Sequence, residues 1–362
     1  MKLFSCPSCG ATVHFPNSLC TACGAEIGFA PAAMAMVAPG PDGTVEAHGR
    51  TWRKCTHYAQ LMGCNWMVDD AAPFCAACRL NRTIPDLSQP GNLLLWQRME
   101  EDKRRLVYAA LRLGLPVAPQ TPGAGPGQPG GTPEGLAFDF LADQPPSFNE
   151  GGRVLTGHAG GLITLNIAEA DPALRERMRA EMAEPYRTIL GHFRHESGHF
   201  YWDRLVRDGP WLGPFRACFG DETADYGAAL QQHYTAGAPP DWPDRFVSAY
   251  AAAHPWEDWA ESWSHYLHMV DTLETAWAFG LQLDARNEAL SGRADFDPYV
   301  TRDFDALVAQ WLPLTVALNA LNAAMGHEAA YPFTLGPVVL DKLRFVHRVI
   351  HGADPARVQP AA

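Results

Sequence analysis

Eight of the nine cysteines lie before residue 80, in two groups of four, and only Cys218 stands apart. The first group is Cys6-Pro-Ser-Cys9-Gly10 and Cys20-Thr-Ala-Cys23-Gly24, with ten residues between Cys9 and Cys20. Two residues between cysteines let a tight turn aim both thiolates at one ion, and a glycine after each pair relieves the turn. Two such knuckles at this separation predict a zinc ribbon over residues 1–30. The second group is Cys55, Cys64, Cys75 and Cys78, in which only Cys75-Ala-Ala-Cys78 is a knuckle. A second four-cysteine zinc-binding module is expected over 45–88, with His57 able to replace one thiolate. Four thiolates with no spare position make either ion structural. Segments this small bury little apolar surface, so metal should supply much of their folding energy.

The rest of the 362-residue chain is long enough for further domains. Hydrophobic residues make up 47% and charged ones 19%, a globular balance, and the net charge of −12 excludes a nucleic-acid partner held by phosphate contacts. The start, Met1-Lys2-Leu3-Phe4-Ser5-Cys6, has no apolar run. With the paired CxxC spacing, that reads as metal binding in a reducing, cytoplasmic setting rather than as disulfides. Ala306 to Gly326 carries no charge, but Thr315, Asn319 and Asn322 make one polar stripe, so a buried helix and no membrane span are expected.

Residues 91–116 read as a connecting helix, with Leu95, Met99, Leu106, Ala110 and Leu113 at helical spacing. Ala118 to Gly135 has Gly or Pro at 11 of 18 positions and reads as a flexible linker. Residues 136–352 follow as one mainly helical domain with a small sheet. Gly161–Ile167 is its clearest strand, and helical stretches fall around 171–208, 223–235, 243–253, 256–280, 302–326 and 337–351. The fold class is therefore multi-domain: small-β zinc ribbons, then a mainly α (α+β) domain.

The chemistry concentrates in His195-Glu196-Ser197-Gly198-His199. Four residues apart on a helix, both imidazoles project from one face and can share a zinc ion. Glu196, offset by one position, can act as general base on an attacking water. The positions that would make this a metzincin hold Trp202 and Leu205, so a third ligand must come from elsewhere. The segment His254-Pro-Trp-Glu257-Asp-Trp-Ala-Glu261-Ser-Trp-Ser-His265 places two carboxylates one turn apart among tryptophans. Such a pair is costly without a cation, which suggests Glu257 as third ligand and Glu261, with His265 a further turn on, as outer-shell groups. Glu222 or Asp221 is the competing source of the third ligand.

The HExxH pattern followed by Tyr-x6-Glu-x-aromatic-Ala-Glu resembles the gluzincin metallopeptidases related to lethal factor. That resemblance implies His195, His199 and Glu257 as zinc ligands, Glu196 as base and Tyr250 as transition-state stabiliser. Over nearly the whole chain, the two quartets, Arg79-Leu-Asn-Arg-Thr-Ile-Pro-Asp86, Tyr186-Arg-Thr-Ile-Leu-Gly-His-Phe-Arg-His-Glu196 and His254-Pro-Trp-Glu-Asp-Trp-Ala-Glu261 look like the bacterial zinc-ribbon, zinc-binding metallopeptidase family. The expectation is a zinc-dependent hydrolase acting on a peptide or protein substrate, with about three zinc ions, two structural and one catalytic. An extended peptide would pair along the Gly161–Ile167 strand. The ribbons offer a docking surface for a protein partner. The rivals are a zinc-ribbon interaction module whose HExxH zinc is structural, and a hydrolase of non-peptide amides.

Overall fold

The computed structural model describes residues 2–69, 71–121, 132–143, 154, 156–181, 184 and 186–352. The chain divides into two compact units, one of Met1–Leu111 and Val117–Met178, the other of Arg112–Pro116 and Arg179–Pro360, with Ala361–Ala362 grouped with the first.

The first unit begins with short antiparallel pairs wrapped around the cysteines. Strand β1 (Phe4–Ser5) pairs with β2 (Thr12–Val13), and β3 (Gly28–Ala30) pairs with β4 (Ala35–Val37). Strands β5 (Thr44–Ala47), β6 (Arg50–Lys54) and β7 (Met67–Val68) make a three-stranded sheet, with helix α1 (Thr56–Leu61) between the last two. The two cysteine regions are not separate modules. Phe29 Nα donates to Asn65 O at 2.7 Å, and Phe4, Phe15, Phe29 and Trp66 form one aromatic cluster with Tyr108. Tyr108 belongs to helix α2 (Asn92–Arg112), as does the fully buried Trp96. The expected connecting helix is thus the central core element of this unit. Periodicity finds the helix but cannot tell a strut from a core.

A four-stranded sheet completes the unit in the order β10 (Gly157–Ala159), β11 (Leu162–Asn166), β9 (Ala137–Leu141), β8 (Asn81–Thr83). Strand β9 runs parallel to both neighbours, so residues just after the second quartet pair with residues beyond the Gly/Pro-rich stretch. A domain boundary at residue 136 is therefore not where the chain divides. The ends of the expected linker are held as well: Gln120 bridges Thr132 and Pro119 bridges Leu136, while residues 122–131 lie outside the described residues. Strand β11 is paired on both sides, antiparallel to β10 and parallel to β9, so it has no edge to offer a peptide. Beta-branched composition marks a strand but not its place in the sheet.

The second unit is helical. Helix α3 (Pro172–Glu181), which runs across the division, precedes α4 (Ile189–Leu205), and Tyr186 to Thr188 are not helical, so the expected single stretch 171–208 is two helices. Thr188 starts α4, its Oγ1 accepting from Gly191 Nα at 2.9 Å. Then come α5 (Leu212–Phe219), α6 (Tyr226–Ala236), the single turn α7 (Trp242–Arg245), α8 (Pro255–Ala278), α9 (Phe304–Ala324) and α10 (Pro337–Gly352), with a small β12–β13 pair (Gln282–Leu283, Gly292–Arg293) before α9. Helices α4 and α8 cross at the centre, where Trp259, Trp263, Tyr201 and Tyr266 are 2% exposed or less. Helix α9 is long and apolar enough to cross a membrane. Its polar stripe is used within the unit: Asn319 exchanges hydrogen bonds of 2.8 and 2.9 Å with the Tyr331 backbone, and Asn322 donates to Glu328 O.

Candidate metal centre

Gly198, inside the His-Glu-Ser-Gly-His run, sets the distance between the two central helices. A Cβ there would lie 2.9 Å from Ala260 Cα and 3.2 Å from Trp263 Cβ. Trp259 Nε1 donates to Gly198 O at 2.8 Å, which locks the crossing. One face of α4 therefore packs on α8 through Ser197 and Gly198, while His195 and His199, one turn apart, meet the first turn of α8.

That turn carries Glu257, whose residue is 1% exposed. His195 Nε2 stands 3.0 Å from Glu257 Oε2, and His199 Nε2 stands 3.5 Å from Glu257 Oε1. One donor atom from each residue lies within 4.8 Å of the others. Atoms bonded to a tetrahedral zinc are about 3.4 Å apart, so the three groups are spaced as ligands of one ion. Glu257 Oε1 accepts from Tyr226 Oη at 2.7 Å, whereas Oε2 is buried and accepts no hydrogen bond among the described residues. A buried carboxylate oxygen in that state calls for a cation. Two imidazoles and a carboxylate are a donor set that suits zinc.

The electrostatics agree. Burial alone pushes the Glu257 carboxyl up, but the two imidazoles outweigh it and hold it well below the usual range. Burial likewise disfavours a charged His195, yet Glu257 and Glu261 raise its pKa well above the ordinary value.

Glu261 grips His195 from behind, with His195 Nδ1 2.6 Å from its Oε1, and Ser248 Oγ donates to its Oε2 at 2.7 Å. With Nδ1 so engaged, Nε2 is the nitrogen left to face the ion. His265, expected as an outer-shell group, interacts electrostatically with Glu261 and His195. It bonds Tyr331 Oη at 2.7 Å and lies outside the His195–His199–Glu257 group. Eight residues along a helix rotate about 80° from Glu257, which carries the ring to another face. The competing acids are engaged elsewhere: Glu222 takes Arg216 through two hydrogen bonds of 2.9 and 2.6 Å, and Asp221 caps Thr223.

Tyr250 opens a 3₁₀ turn, Tyr250–Ala252, with its ring centroid 5.9 Å from that of His195. Burial, then the Glu257 charge, raises its phenol above the ordinary value, and Glu196 contributes in the same direction. The hydroxyl is thus a firm donor. Three participants escaped the sequence reading: Tyr226, Ser248 and His254. None had been given a role, although His254 heads the motif that carries Glu257, and only the tertiary fold brings them together at the site.

In the first unit both quartets close. One sulfur from each of Cys6, Cys9, Cys20 and Cys23 lies within 4.8 Å of the rest, and the same holds for Cys55, Cys64, Cys75 and Cys78. The separations Cys6–Cys23 of 3.8 Å, Cys9–Cys20 of 3.7 Å and Cys64–Cys75 of 3.7 Å match the sulfur spacing of about 3.8 Å around tetrahedral zinc. The second quartet is fully buried, whereas Cys9 and Cys23 are exposed.

Two four-cysteine cages and a helix pair presenting two imidazoles and a carboxylate define a metal-binding protein. Residues 92–349 match the family described as "Putative zinc-binding metallo-peptidase", and residues 3–89 match a zinc-ribbon domain. The chain belongs to this metallopeptidase family. An uncharacterized protein of Mycobacterium bovis is 40% identical over 358 residues, covering 98% of this chain and 97% of its own. Uncharacterized proteins of two Mycobacterium tuberculosis strains match to the same extent. No solved structure matches.

Proposed function

We propose that the chain is a zinc-dependent peptidase whose centre is His195, His199 and Glu257. The observation that carries this reading is the buried Glu257 oxygen lacking a hydrogen bond beside two converging imidazoles. A zinc ion bound there would supply Lewis acidity, polarising a carbonyl and acidifying a water. Glu196 takes a proton from the attacking water as its oxygen bonds to the carbonyl carbon. It then delivers that proton to the amide nitrogen as the C–N bond breaks. Tyr250 donates to the oxyanion while it exists. Glu261 keeps the His195 ring in place. The substrate is a peptide or protein, the compartment is reducing and cytoplasmic, and the zinc-ribbon surface is free to receive a protein partner.

Glu196→Gln tests the assignment. The variant should retain about three zinc ions per chain and lose peptide hydrolysis by about 10²–10⁴-fold. Retained hydrolysis, or loss of the third ion along with it, would remove Glu196 from the role of base. A wild-type protein with three ions but no cleavage of broad peptide libraries would favour the interaction module.

A further inference from the structure

We propose that Tyr226 is a positioning residue of the metal centre: it pins one oxygen of Glu257, leaves the other for the ion, and thereby couples helix α6 to metal occupancy. This rests on Glu257 being the third ligand.

Helix α6 is a surface element of its unit. None of its side chains is buried, and Tyr226 itself is 38% exposed. A core does not place this tyrosine, yet its hydroxyl reaches 2.7 Å into a carboxylate that is 1% exposed. The approach is built from both sides. Asp225 caps the helix, accepting from Ala228 Nα at 3.0 Å. His254, buried at the start of α8, accepts from Trp256 Nα through Nδ1, so its Nε2 carries the proton and donates to Ala224 O at 3.1 Å. One histidine therefore fastens the segment before Tyr226 to the helix that carries Glu257. The Tyr226 ring stands edge-on to His254, at 5.2 Å and 83°.

The chemical consequence lies in Glu257. A carboxylate with two open oxygens can hold an ion through either or both. The Tyr226 hydroxyl donates to Oε1 and so favours Oε2, which has no hydrogen bond among the described residues, as the oxygen for the ion. An outer partner of this kind sharpens a ligand's direction and typically changes metal affinity by about 10–100-fold. The coupling is reciprocal: an ion that fixes Glu257 also fixes the acceptor to which α6 is tied.

The test uses the full chain and the variant Tyr226→Phe, which removes only the hydroxyl. Zinc affinity is measured by chelator competition, and amide exchange is followed over residues 221–236 with and without zinc. The third ion should bind about 10–100-fold more weakly in the variant, while the eight-cysteine ions are unchanged. Exchange protection of α6, raised by zinc in the wild type, should no longer respond. Tyr234→Phe, on the same helix at a 67% exposed position, should leave both readings at wild-type values. A Tyr226→Phe affinity within about twofold of wild type, with α6 still responding to zinc, overturns the proposal but spares the metal centre. A wild-type chain that binds only two ions removes the centre itself, and this inference with it.

Discussion

In the first unit, each set of four thiolates is gathered from loops close together in sequence, Cys6 to Cys23 and Cys55 to Cys78, among strands of two to five residues. In the second, His195 and His199 come from one long helix and Glu257 from another, and the crossing is filled by Trp259, Trp263 and Tyr201. The difference lies in what holds the ligands. Around the cysteines short strands and loops converge on each set of thiolates beside an aromatic cluster of Phe4, Phe15, Phe29, Trp66 and Tyr108, whereas the helix pair is packed by aromatic side chains along its whole crossing. One kind of site depends on metal for its shape, and the other brings its shape to the metal.

Chelation should expose this contrast most strongly. Structural zinc sites carry roughly 10–16 kcal/mol, so stripping zinc is expected to abolish amide protection around β1 to β7 while α4 and α8 keep theirs. Equal loss in both units would break the comparison. Acid gives the next effect. His265 is buried against Tyr331 and its pKa falls from 6.5 to about 4. The unfolded chain then takes up a proton that the folded unit refuses. Stability from this group is complete above pH 6.5 and declines by about 3 kcal/mol as pH falls toward 4. Urea unfolding of the zinc-free protein across that range should show the slope, and His265→Gln should reduce it by about one proton's share, His351 and His268 keeping theirs; an unchanged slope would assign the proton elsewhere. The smallest effect is expected from Gly198→Ala. The added methyl meets Ala260 backbone at 2.9 Å, so the helices must separate, at a cost of about 1–3 kcal/mol in thermal unfolding together with weaker binding of the third zinc. A variant as stable as wild type would show that the crossing yields freely.

What the sequence revealed follows the same division. Cysteine spacing is local and reports its geometry directly, and so does the i, i+4 pair of histidines on a helix. The long helices α8, α9 and α10 were legible from periodicity because their cores repeat every turn. The parallel pairing of β8 with β9 was hidden, since it joins Asn81–Thr83 to Ala137–Leu141 across the whole of α2 and the Gly/Pro-rich stretch. Helix α5, with Phe215 and Phe219 in the core, was missed because Leu212-Gly-Pro-Phe reads as a turn. Tyr226 was invisible for a related reason: its acceptor lies on another helix, and no spacing rule connects a phenol to it.

Gly198 gives the molecule a gauge. The absence of one methyl group lets the two helix backbones that carry His195, His199 and Glu257 come close together. Ions that want a shell of six to eight oxygens, such as calcium, find one carboxylate and two imidazoles instead. The choice of metal is thus written partly into the backbone, at a residue that never touches the ion.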